Sequence, residues 1–151
     1  MGQKLVRMLV TLIAAGILYI GVATAGAAPG FHLTGLALHQ ETGRDIYLGA
    51  IYLEQDRARP IDYRQLAGTR IMEYRVVARR TSMRSLLGGV LLQSEVATGR
   101  APDRTTKEFA NSIISAVDGS LYAGDALEIM RTSDGAALAL LNGHELARAE
   151  D

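Results

Sequence analysis

Cysteine is absent from this 151-residue chain. Its absence excludes a disulfide, a thiolate nucleophile, a zinc–thiolate site and lipid attachment at a lipobox. An excess of either charge is absent too, because 16 basic residues balance 16 acidic ones. No global field therefore draws the chain to nucleic acid or to an anionic membrane surface. Histidine is scarce: His32, His39 and His144 are scattered and form no ligand cluster, so neither a metal nor a cofactor is expected. No internal repeat, low-complexity tract, phosphate-cradling glycine loop or serine nucleophile elbow occurs. Ser-His-Asp triads can be drawn on paper, yet no spacing favours one. What is present is ordinary for a globular protein: 48% hydrophobic and 21% charged residues, in a length that suits one domain.

The first 28 residues read as an export signal. Lys4 and Arg7 form a positive start, Met8 to Ile20 is apolar apart from Thr11, and Ala23-Thr24-Ala25 and Ala25-Gly26-Ala27 offer small-x-small cleavage sites. Cleavage there leaves residues 29–151 as the domain, in the periplasm or outside the cell, with no stable membrane insertion. The competing reading is an uncleaved anchor, since Leu5 to Ala28 is long enough to span a bilayer as a helix.

The chain is organised around Gly43 to Glu54. At period two, Ile46, Leu48, Ala50 and Tyr52 make one face, and Tyr47, Gly49, Ile51 and Leu53 make the other. Both are apolar, which predicts a strand lying between two layers, or between a core and a ligand cavity. Gly49 leaves room for close approach. Phe31 to Gln40 alternates weakly, and Gln40-Glu41-Thr42-Gly43 is a turn, so the two strands form a hairpin. A short helix is predicted over Pro60 to Gly68. Thr69 to Arg80 returns to strand period: Met72, Tyr74, Val76 and Ala78 face the core, while Ile71, Glu73, Arg75, Val77 and Arg79 make a wet face.

Ser82 to Ala97 changes to helical spacing through Met83, Leu86, Leu87, Val90 and Leu91, with Ser82 as N-cap. Gly88-Gly89 inside it signals close packing, approach to a ligand, or a kink. A second amphipathic helix carries Phe109, Ile113, Ile114 and Val117 behind a capping box at Thr105-Thr106-Lys107-Glu108. The remainder is a β-meander: strands over 126–132, 136–141 and 144–148, joined at Ser133-Asp134-Gly135 and Asn142-Gly143. The fold class is thus α+β, an antiparallel sheet packed against a layer of two or three helices.

The strand Arg44 to Glu54, the preceding Thr34-Gly35-Leu36-Ala37-Leu38, and the turns Leu121-Tyr122-Ala123-Gly124-Asp125 and Leu141-Asn142-Gly143 together resemble the bacterial branch of the chalcone isomerase-like family. The resemblance covers roughly Phe31 to Arg148. It implies a cleft between sheet and helices that binds a flavonoid-type substrate or, in non-catalytic members, a fatty acid. The catalytic set of the plant enzymes carries over poorly. Their strand threonine falls on Tyr47, and their arginine falls near His39, with Arg44 the nearest guanidinium. The helical tyrosine and asparagine have no match in 82–117, where Asn111 is the sole asparagine. The bacterial relatives usually carry C-terminal helices after the Asn-Gly turn, and this chain ends before them.

The expected function is therefore an exported, non-catalytic protein binding a small apolar or fatty-acid-like ligand. Tyr47, as a hydrogen-bond donor, and His39 would contact the ligand, and Arg44, Arg75 or Arg80 would meet an acidic head. An isomerase using Arg44 and Tyr47, and a structural envelope protein acting through a protein partner not identified by the sequence, are the alternatives.

Overall fold

The computed structural model describes residues 30–54 and 68–150. The export signal, and the helix expected from Pro60 up to Gly68, lie outside the described residues. Among the described residues, eight strands and two helices follow in order: β1 (His32–Glu41), β2 (Arg44–Leu53), β3 (Arg70–Val76), β4 (Arg80–Thr81), α1 (Met83–Thr98), α2 (Arg104–Ala116), β5 (Leu121–Tyr122), β6 (Ala126–Arg131), β7 (Ala137–Leu141) and β8 (His144–Ala149). The architecture is α+β, as the patterning predicts.

Six strands form one antiparallel sheet in the order β1-β2-β3-β6-β7-β8. Thr42-Gly43 and Asn142-Gly143 close the first and last hairpins with positive φ at both residues, the backbone that two-residue loops of matching twist demand. β2 pairs with β1 on one side and β3 on the other, so it is interior, one place in from the edge.

Both helices are inserted between β3 and β6, which are themselves paired. Ser82 caps α1 by accepting from the Ser85 N–H at 3.1 Å, and Gly99 ends it in the left-handed region, its N–H donating to Glu95 at 2.8 Å. The start of α2 differs from the expected capping box. Asp103, where the chain is still extended, caps it by accepting from the Thr106 N–H at 2.7 Å. Glu108 is thereby left to pair with Arg104 one turn back, at 2.6 Å. A two-residue ladder, β4 with β5, ties the entry of α1 to the exit of α2, and Arg80 Nε donates to Ser120 Oγ across it at 2.7 Å.

The core lies between the helices and one sheet face. Tyr47, Val76, Leu127 and Ala139 from the strands meet Met83, Leu86 and Leu87 of α1 and Ala110 and Ile113 of α2. Each fully buried leucine or isoleucine here contributes about 1.5–3 kcal/mol of transfer free energy.

The opposite face of β3 corrects the sequence reading. Instead of being wet, it buries Ile71 and Glu73. Glu73 is only 5% exposed because Arg75, two residues along the same face, covers its carboxylate, with Nη2 at 2.7 Å and Nε at 2.9 Å. Glu128 lies directly across the strand pair, and its carboxyl is pushed up by burial and then by Glu73.

Candidate functional site

A cavity of about 360 Å³ lies over β1, β2 and β3 and reaches α1. The pairings Ala37↔Gly49, His39↔Tyr47, Gly49↔Tyr74 and Ile51↔Met72 put these side chains on the face that carries the helices. Most of the lining is apolar: Ala37, Gly49, Ile51 and Met72. The polar groups gather at one end, as His39, Tyr47, Tyr74 and Gln93. That composition, a mostly apolar cavity with a few convergent polar groups, is the usual form of a small-molecule site, and the volume falls inside the common range of about 300–1,000 Å³.

The polar end is built by three elements. The imidazole of His39 stacks on the ring of Tyr47, centroids 4.6 Å apart, and Tyr47 meets Tyr74 edge-on at 5.6 Å. β1 shifts register between His39 and Gln40, an irregularity of the kind that re-aims a side chain. From α1, Gln93 Nε2 lies 2.5 Å from His39 Nδ1, and the Tyr47 hydroxyl donates to Gln93 Oε1 at 3.3 Å. On its other side, His39 Nε2 is 3.4 Å from Glu41 Oε1. α1 comes this close because residue 89 is glycine: a Cβ there would stand 3.3 Å from His39 Nε2 and 3.7 Å from the Tyr47 hydroxyl. At Gly88 a Cβ would meet nothing within 4 Å. Of the paired glycines, one serves the site.

Electrostatics keep both phenols neutral. Burial pushes the Tyr74 hydroxyl up to about 12, helped by Tyr47, and burial followed by the Glu41 carboxylate raises Tyr47. No known family, curated protein or solved structure matches this chain. The geometry therefore carries the functional argument by itself.

Of the residues singled out from sequence, Tyr47 and His39 come together in this cavity, and the three arginines do not line it. Arg44 sits at the hairpin end opposite Glu41. Arg75 is committed to Glu73 on the other sheet face, and Arg80 lies on the small β4–β5 ladder. Gln93 was not anticipated. It stands exposed on the flank of α1, outside the apolar stripe, so helical periodicity gives no signal for it. A second cavity of about 240 Å³ lies beside the start of α2, with Arg70 and Arg131 directly opposed across β3 and β6. Arg70 is lowered by burial and then by Arg131. Among the described residues no group of histidines and carboxylates is arranged to hold a metal ion, and no helix is long and apolar enough to cross a membrane.

Proposed function

We propose that this is an exported, non-catalytic binding protein for a small, largely apolar ligand, built on a chalcone isomerase-like scaffold. The observation that supports it is the apolar cavity beside Tyr47, roofed on one side by α1 and closed at one end by polar groups. The isomerase alternative calls for a cation next to Tyr47 to hold a phenolate. Among the described residues the cavity lining contains no arginine or lysine, which favours the binding reading. Export rests on the Met1–Ala28 segment.

Native mass spectrometry of protein recovered from cells, paired with titration of an apolar probe, tests the binding claim. We expect a stoichiometric apolar adduct or saturable uptake, lost when Gly49→Phe fills the cavity. Ligand-free protein that takes up no probe sinks the reading.

A further inference from the structure

We infer that the ligand carries a neutral hydrogen-bond donor, a hydroxyl, as its polar end, and that the cavity discriminates against a carboxylate. This rests on the binding function proposed above and names the chemical class that the site selects.

Four hydrogen-bonding groups, on Glu41, His39, Gln93 and Tyr47, form a directed relay at the polar end. Gln93 Nε2 is an amide nitrogen that can only donate and it lies against His39 Nδ1, so the imidazole proton sits at Nε2, facing Glu41 Oε1. Nδ1 is then a lone pair and must receive the Gln93 amide N–H at 2.5 Å. That fixes the amide, turning Gln93 Oε1 to the Tyr47 hydroxyl, which donates to it at 3.3 Å. The tyrosine's only proton is thus committed to the protein, and what it keeps for the cavity is oxygen lone pairs.

Tyr74 repeats the pattern, donating to Met72 Sδ at 3.6 Å. Two phenol oxygens of the lining therefore remain as acceptors, in a cavity whose nearest formal charge on this relay is the negative Glu41. Gln93 retains one further N–H, on an exposed turn of α1. A carboxylate would meet lone pairs and a like charge, with no guanidinium or ammonium among the described residues of the lining to offset them. A hydroxyl donates to Tyr47 Oη and leaves every bond of the relay intact. Leaving a buried polar group unpaired is what makes such sites selective.

The test titrates the protein with decane, decanol and decanoate at neutral pH by calorimetry. The expected order is decanol tightest, with decanoate weaker by about tenfold, the ratio that about 1.4 kcal/mol represents. In Gln93→Leu the Tyr47 hydroxyl is released to donate, and the decanol-to-decanoate ratio falls toward one. In Tyr47→Phe, decanol drops to the affinity of decane. Gln93 is exposed, so its replacement leaves folding intact, and circular dichroism verifies this. Decanoate binding as tightly as decanol overturns the inference while leaving the binding function standing. Failure of all three probes overturns both.

Discussion

Gly88 and Gly89 are adjacent, yet their surroundings assign them different consequences. Alanine at Gly88 meets open space and gains helix propensity, worth up to about 1 kcal/mol. Alanine at Gly89 gains the same propensity and then presses on His39 Nε2 at 3.3 Å, so the ring has to shift. Urea denaturation should rank Gly88→Ala above Gly89→Ala in stability; equal gains would show that the ring yields freely. Tyr74 offers a second check at this scale. Its hydroxyl is raised from 10 to about 12, chiefly by burial. The folded state thus holds a proton that the unfolded chain releases, and the associated stability is complete below pH 10. It declines as pH rises through about 12, by on the order of 2 kcal/mol. Phenolate absorbance during alkaline titration should show a latest step near pH 12, beyond the raised Tyr47 and Tyr52, and Tyr74→Phe should remove that step.

Among the elements, β3 best separates what pattern can reveal from what pairing decides. Its alternation correctly sends Met72, Tyr74 and Val76 to the helix side, because period two is written in the residues themselves. The state of the other face depends on which residues lie across and alongside. Glu73 is buried by its i+2 neighbour Arg75 and by the strands that flank it, a long-range outcome. The same limit hid the site's composition. Tyr47 stood out as an aromatic on a strand with two apolar faces, and His39 as a polar residue beside the turn; Gln93 reaches them only through tertiary packing. The last hairpin was legible because Asn-Gly supplies the required backbone locally, whereas the first turn, read over 40–43, tightens to Thr42-Gly43 with a β-branched residue at positive φ, which no local preference signals. The β3 ion pair carries its own prediction. Arg75→Met strands a carboxylate that is almost fully buried and should cost about 3 kcal/mol, the lower end for breaking a buried pair, since Arg75 keeps some contact with water. Replacing Glu73 and Arg75 together by methionine should recover most of that loss. A double variant as unstable as the single one would contradict this assignment.

At the level of the whole molecule, the sheet and its roof are joined economically. β3 pairs directly with β6, so the sheet runs unbroken beneath an excursion of two helices. The excursion is held by the packing of Leu86, Leu87 and Ile113 and by the small ladder at its base. The last two turns of α1 project past the core, with Leu92 62% exposed and Val96 77% exposed. Stability should therefore be graded along the chain. In hydrogen exchange, amides of residues 93–98 should exchange first, those of β3 and β6 last, and uptake of a ligand should slow the residues around Gln93. Uniform exchange across α1 would contradict that gradient.

Because the polypeptide leaves the sheet and returns to it between two strands already zipped together, the helical pair is an insertion anchored by side-chain packing and by the ladder at its base. It contributes no rung to the main ladder. The ladder is thus complete without the helices, while the core is not: lifting them would lay bare Leu86, Leu87 and Ile113, so the roof and the fold stand or fall together.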